Sequence, residues 1–349
     1  EGMSDETDPV KIRQNYANAN MYEPYPNYAC MTALLCAAEM ADSAGANEMG
    51  AKWRRYASTI RDAMVRQLIA GDHNNLTWRI SPYSVLTTFQ DRLVQAWLSL
   101  YIDGLDPQAW DQETYKITRN TFREHMQMPY GHAPALAMGY GQGWLTHASL
   151  ILDEMDDAGP LLVNLAKYSY DKNMDYTDPG RGIDWRRWMW IVPEGSNILP
   201  DGSWHRINDL SNGANQGPAM HALEACAGVD DTDPSYIRIM PRLPDPLDGI
   251  EVQNHFVLVP GDDGLQKARV SYRYEKGWSF SLRSDRSIPR LSVRLGPWVS
   301  EAEVSGLMDT LSGNGLEHRI VSSGRYRGKD AWWLWVDASG AVSYTHLRA

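Results

Sequence analysis

The residues best suited to chemistry lie between Trp185 and Gln216, a stretch that we call the aromatic segment. It is rich in Gly, Pro and Asn and shows no helix or strand period, which predicts one long irregular loop that is functional rather than disordered. Indole faces cover the apolar face of a pyranose, while Arg, Asn and carboxylates hydrogen-bond its hydroxyls. The segment therefore predicts a carbohydrate site, the alternative being an aromatic lid over a core. Its chemistry is carried by Trp185, Trp188, Trp190, Trp204, Arg186, Arg187, Arg206, His205 and Glu194.

Glu194 is the carboxylate flanked most closely by tryptophans on both sides. An inverting glycosidase needs one carboxylate to activate water and an acid about 6.5–9.5 Å away across the scissile bond. Desolvation raises the pKa of a carboxyl group and a nearby arginine lowers it, so this setting suits a general base. Asp201 and Asp209 compete for the role, and the alternative interpretation of Glu194 is a surface residue in a turn.

A second segment with candidate binding residues, Met128 to Trp144, precedes a predicted helix and contains His132, Tyr140 and Gln142. Together with Asn212, these side chains are predicted to bind sugar hydroxyls.

Cys30 and Cys36 are six residues apart and so face different sides of one helix, while Cys226 stands alone. The cysteines therefore predict small buried thiols, and the sequence predicts neither a metal site nor a cofactor.

Length and charge narrow the classes of function. A chain of 349 residues is long for one domain, which predicts two. The net charge of −11 argues against a nucleic-acid or anionic-membrane partner, and no apolar run reaches the length of a membrane span. A carbohydrate is the predicted partner, and both compartment and oligomeric state stay open.

The spacing of apolar residues predicts a helical part followed by a strand-rich part. Paired helices with long loops gathered at one end are predicted for residues 1–233, where the stripes cover 28–44, 53–68, 93–101, 107–126, 145–155, 160–170 and 216–227. From Asp230 the period becomes two, and about seven short strands, with WSFSLRS and RLSVRLG as two separate strands, predict an antiparallel β-sandwich over residues 234–341. Residues 342–349, VSYTHLRA, look like a translated sequencing adapter and are excluded from this fold prediction.

This order of elements resembles the second half of a six-hairpin, (α/α)6-barrel glycoside hydrolase of the α-L-rhamnosidase type. QAWLSLYIDGL is similar to an inner helix of that family, WMWIVPEG to its loop with the catalytic glutamate, and SNGANQGPAMHALEACAGV to its last helix. The resemblance implies a partial (α/α)6 toroid, a glycosidase acting on polysaccharide or glycoside side chains, and Glu194 as general base. It also implies that the general acid lies in a missing first half, so that this fragment alone is inactive. SNGANQG departs from the more aromatic sequence that the family has at this position.

Two other interpretations stay open. Polysaccharide lyases also join a helical toroid to a β-sandwich, and His205 with Arg206, or Tyr130 with His132, could abstract a proton beside a uronate. A lyase makes an unsaturated product that absorbs ultraviolet light, whereas a hydrolase does not. A noncatalytic carbohydrate-binding protein is the third possibility, and binding without turnover would identify it.

Overall fold

The computed structural model describes most of the chain as two compact units. Its described residues are 24–71, 75–78, 105, 112–126, 140–170, 177–178, 183–184, 195–198, 204–207, 213–276, 279–312 and 316–348. The first unit comprises Glu1–Asp103 with Gln108–Pro134, and the second comprises Gly104–Pro107 with Ala135–Ala349. The predicted domain limits, 1–233 and 234–341, stay predictions.

The first unit is built on a helical hairpin. Helices α1 (Pro24–Ser43) and α2 (Asn47–Gln67) pack together, and Gly45 between them has a φ of +77°, which glycine adopts without steric cost. A short hairpin, β1 (Ile69–Ala70) with β2 (Thr77–Trp78), and helix α3 (Gln112–Met126) complete the described elements. The helices predicted from stripes 28–44, 53–68 and 107–126 are thereby confirmed, whereas stripe 93–101 lies outside the described residues. The shared core consists of Met31, Ala57, Met64, Leu68 and Ile117.

The second unit begins with helices whose boundaries differ from the prediction. Helix α4 (Tyr140–Ile151) ends early and α5 (Met155–Tyr170) starts almost at once, because Asp153 between them adopts a φ of +59°. The prediction of one helix over residues 145–155 is therefore wrong. Two short hairpins follow, β3 (Thr177–Asp178) with β4 (Ile183–Asp184) and β5 (Gly195–Ile198) with β6 (Trp204–Ile207). Helix α6 (Gly213–Ala227) leads into the sheet.

Seven strands form one mixed sheet in this part of the chain. They are β7 (Val229–Asp230), β8 (Ile237–Ile239), β9 (Gly249–Gly261), β10 (Gly264–Glu275), β11 (Ser279–Trp298), β12 (Glu317–Tyr326) and β13 (Lys329–Arg348). The main order is β12-β13-β11-β10-β9, and β8 pairs parallel to β11 over Leu291–Val293 while also pairing with β7. Helix α7 (Glu301–Ser312), which the period-two pattern did not predict, lies between β11 and β12.

The predicted fold class is wrong. The described residues form seven helices, three two-stranded hairpins and one curled, mixed half-barrel sheet of seven strands instead of a partial (α/α)6 toroid followed by a β-sandwich. WSFSLRS and RLSVRLG were predicted as two strands, but they belong to one strand, β11, whose ladder to β13 shifts register between Arg283 and Ile288 and again near Leu295. Register shifts bend a strand without ending its pairing, so the sheet curls instead of dividing into two layers.

The concave core of the sheet is apolar and nearly free of solvent. Alternate residues of β9 and β10 point inward, among them Val257, Val259, Ala268, Val270 and Tyr272, each at most 2% exposed.

Beyond the predicted end of the domain, Tyr344–Arg348 of β13 pair with Ser279–Arg283 of β11. The adapter origin of residues 342–349 stays a prediction. Among the helices described above, none has the length and apolar character needed to cross a membrane.

A buried ion cluster ties the helices of the second unit to its sheet. Asp153 accepts hydrogen bonds from both Nη atoms of Arg294, at 2.7 Å each, and from Nε of Arg242 at 3.1 Å. All three side chains are fully buried. Arg242 also donates to the carbonyl of Leu105, and the Arg294 guanidinium lies 4.0 Å from the ring centroid of Trp333. Burial alone would raise the pKa of Asp153, but the charges of Arg294 and Arg242 outweigh it and hold that pKa below its ordinary value.

Candidate functional site

The candidate site begins with the β5–β6 hairpin inside the aromatic segment. The register pairs Gly195 with Ile207, Asn197 with His205 and Ile198 with Trp204. The prediction of one irregular loop is therefore wrong for residues 195–198 and 204–207. Because backbone pairing fixes both strands, Trp204 and His205 occupy defined positions on a small ribbon, and β3 also contacts β6.

The predicted site residues divide into two groups. Trp204 and His205 lie on β6, and Tyr140 and Gln142 lie in the first turn of α4. The rest of the predicted set, together with the competing carboxylates, lies outside the described residues, and their predicted roles stay predictions: Glu194, Trp185, Trp188, Trp190, His132, Asn212, Asp201 and Asp209. In sequence, Glu194 directly precedes β5 and Asn212 directly precedes α6.

Helices α4 and α6 pack closely against each other at Gly143. A Cβ atom at Gly143 would lie 2.8 Å from the backbone nitrogen of Ala219, so glycine is what allows this approach. The rings of His147, four residues after Gly143, and His221, two residues after Ala219, stack with centroids 5.6 Å apart.

The contact between these helices also holds a histidine pair that the sequence did not single out. His147 is buried, and its Nδ1 atom has no hydrogen-bond partner in the part of the chain that the structure describes. Burial, then the charges of His221 and Arg242, lower the pKa of His147 to about 3, so its imidazole is neutral at physiological pH. His221 is exposed and lies 2.9 Å from a carboxylate oxygen of Glu224. A neutral buried imidazole can orient a polar group but is a poor general acid near pH 7.

Among the described residues, two of the three cysteines differ from the prediction, and the acidic side chains form no metal site. The prediction of buried thiols is wrong for Cys30 and Cys36, which are exposed, and correct for Cys226, whose thiol pKa burial raises to about 12. No group of three or more His, Cys, Asp or Glu side chains with metal-binding geometry occurs within the residues described. At the surface, Asp245 is bound by Lys276, Arg327 and Tyr326, and despite partial burial these bonds lower its pKa to about 2.

The buried polar residues Asp153, Arg242, Arg294 and His147 had no usable signal in the sequence. Asp153 belongs to the acidic run LDEMDD, which is typical of an exposed helix boundary, and Arg294 alternates with apolar residues like an outward-facing strand residue. Comparison with known proteins supplies no further guidance, because no protein-family model matches this sequence and no curated protein matches it significantly.

Proposed function

We propose that this protein is a glycoside hydrolase acting on plant or microbial polysaccharide or glycoside side chains, with Glu194 as the general base of an inverting reaction. The single observation that carries the proposal is the β5–β6 hairpin, which gives an ordered backbone to the part of the aromatic segment that holds Trp204 and His205. Sites supported by paired strands hold their side chains more precisely than sites on free loops.

The roles follow from the chemistry of a pyranose. Tryptophan faces cover its C–H groups, and amide, imidazole and phenol groups bind its hydroxyls. Tyr140 and Gln142, in the first turn of α4, and Asn212, which precedes α6 in the sequence, supply such groups in this proposal. The stacking residues in this proposal are Trp185, Trp188, Trp190 and Trp204, and the remaining hydroxyl-binding residues are His132 and His205.

The base acts on water. In the inverting reaction a carboxylate takes a proton from water as the water attacks the anomeric carbon, while a separate acid protonates the leaving oxygen. Glu194 holds the proton acceptor, and we assign no acid within this chain. The protein should therefore be assayed in the complete reading frame that contains this sequence.

Glu194→Gln tests the assignment, because the amide keeps the shape of the side chain and loses the proton acceptor. A positioned general base contributes about 10²–10⁴-fold in rate, so kcat on a panel of aryl glycosides should fall by that order while binding stays within about twofold. Glu301→Gln, an exposed change in the first turn of α7, is the matched control and should leave kcat unchanged. Circular dichroism of each variant verifies folding.

Three results would overturn the proposal. Wild-type turnover by Glu194→Gln, or loss of activity from Asp201→Asn or Asp209→Asn alone, would remove Glu194 from the role of base. An ultraviolet-absorbing product would identify a lyase. Carbohydrate binding without turnover by the complete protein would identify a noncatalytic binding protein.

A further inference from the structure

The outward face of strands β9, β10 and β11 holds an open depression of about 370 Å³. Its lining includes Gln253, Asn254, Ser271, Arg273, Ser281 and Arg283, and also Glu251, whose carboxylate accepts a hydrogen bond from the Gln253 amide at 2.6 Å. Small-ligand sites usually enclose about 300–1,000 Å³, so the depression has room for one or two sugar rings. This face is opposite to the apolar core, because it carries the alternate residues of β10 that do not point inward.

Three arginines occupy outward positions of β10 and β11 next to Ser271. Arg283 on β11 pairs directly with Ser271, and Arg269 and Arg273 lie two residues before and after Ser271 on β10. Diagonal neighbours of this kind are about 7–8 Å apart, close enough for their long side chains to reach one ligand. Arg273 is 2.8 Å from Glu275, but within the described residues no carboxylate pairs with the guanidinium of Arg269 or Arg283.

The surroundings of the arginines offer neutral hydrogen-bonding groups and an exposed ring. The β9–β10 ladder shifts register beside Ser271, and there Asn254 has a φ of +55° and donates its backbone N–H to the Ser271 hydroxyl at 2.9 Å. Phe256, on the next outward position of β9, is 56% exposed. The Arg269 guanidinium and the Lys267 ammonium lie 5.6 and 6.0 Å from its ring centroid.

The charge of this face differs from that of the whole chain. The chain carries −11 overall, whereas on this face the arginines of the lining, Arg273 and Arg283, together with Lys267 and Arg269 beside it, outnumber the carboxylates of Glu251, Glu275 and Asp285. Like charges held this close on a sheet repel, and an anion placed between them relieves the repulsion. The guanidinium fork fits a carboxylate with two parallel hydrogen bonds.

We propose that this depression binds an acidic oligosaccharide, with a uronate carboxylate held between Arg273 and Arg283. Gln253, Asn254 and Ser281 bind the sugar hydroxyls, and the exposed ring of Phe256 covers the apolar face of a neighbouring sugar. The inference deepens the proposed function by naming the substrate class, and it rests on that function for the choice of a glycan over other anions. No sequence motif pointed to this site, because its residues come from three strands.

The test compares charged and neutralised forms of one glycan. Calorimetry measures the binding of oligogalacturonate to the full chain. The same measurement is made with fully methyl-esterified oligogalacturonate, which has the same sugar rings without the negative charge. Arg283→Gln and Arg273→Gln each remove one guanidinium, and each should weaken binding of the acidic form by about 10- to 100-fold, the usual range for a hydrogen bond to a charged group. Arg55→Gln, an exposed change in the middle of α2, is the matched control and should leave binding unchanged.

Several outcomes decide the inference. Binding of the acidic form that depends on both arginines, with little binding of the ester, supports it. Equal binding of the ester, equal affinity in both arginine variants, or equally tight arginine-dependent binding of polyphosphate or RNA overturns it.

The outcome is separable from that of the hydrolase proposal. Arginine-dependent binding without any Glu194-dependent turnover would overturn only the hydrolase, and Glu194-dependent turnover without arginine-dependent binding would overturn only this site. Repeating the titration with Glu194→Gln removes any contribution from hydrolysis during the measurement.

Discussion

At the scale of single residues, Asp153 has the most demanding environment among the described residues. One carboxylate compensates two guanidinium groups, those of Arg242 and Arg294, and all three side chains are fully buried. Buried charges are costly unless they are paired, so the loss of one charged partner from such a cluster is destabilising. Because Arg242 follows β8, Arg294 lies on β11 and Asp153 separates α4 from α5, the cluster fixes where the helices of the second unit meet its sheet.

We expect Asp153→Asn to lower the free energy of unfolding by about 3–5 kcal/mol at pH 7, because the buried guanidinium groups of Arg294 and Arg242 lose a charged partner. Denaturant unfolding measures the change, and Asp262→Asn, in the exposed turn between β9 and β10, is the control. The folded-state pKa of Asp153 lies below its ordinary 3.8, so its stabilisation is present above pH 3.8 and is lost as the pH falls through the lowered folded pKa. The difference between wild type and variant should therefore shrink under acidic conditions, and a constant difference from pH 7 to the acid limit would contradict this explanation.

At the scale of elements, helix α4, which carries Tyr140 and Gln142, packs against α6. The two helices approach closely only because Gly143 has no side chain, since the backbone of Pro218 and Ala219 occupies the space where a Cβ atom would lie. The sequence places Gly143 in the run YGQGW, which is equally typical of a turn. Only the packed structure shows that this glycine lies within a helix at a crossing.

Gly143→Ala should push these helices apart and destabilise the protein by about 1–3 kcal/mol, the usual cost of overpacking. Gly217→Ala is the matched control, because Gly217 lies on α6 with nothing within 4 Å of the added Cβ atom. The control should be stabilising by up to about 1 kcal/mol through helix propensity. Thermal unfolding of both variants measures the contrast, and equal effects at the two positions would contradict the close crossing.

At the scale of the whole molecule, the chain divides into two units, each with its own buried core. The core of the first unit contains Met64 and Ile117, and the core of the second lies mainly on the inner face of the curled sheet. A compact unit with its own hydrophobic core commonly unfolds as one cooperative transition.

We therefore expect two transitions in scanning calorimetry of the full chain. Ile117→Ala, which removes apolar atoms from a side chain only 2% exposed, should destabilise the first unit by about 2–5 kcal/mol and lower one melting temperature. Asp153→Asn should lower the other. A single transition that both variants shift equally would show that the two units unfold together.

The sequence by itself determined the types of most described elements. Stripes at helical spacing predicted α1, α2, α3 and α6 with ends displaced by up to six residues. Alternation predicted most of β8 to β13, because burial of one face imposes a period on the residues of each element. Composition also pointed to the aromatic segment as the candidate site. These properties are local, so they can be read without knowing which elements become neighbours.

Tertiary structure decided how those elements combine. The period of β11 is the same whether it is one long bent strand or two short ones, so only its pairing with β8, β10 and β13 distinguished a curled mixed sheet from a sandwich. Asp153, Arg242 and Arg294 are up to 141 residues apart, and the arginines around Ser271 come from two strands. Polar side chains carry no periodic signal that tells burial from exposure, because their environment depends on which distant residues surround them after folding.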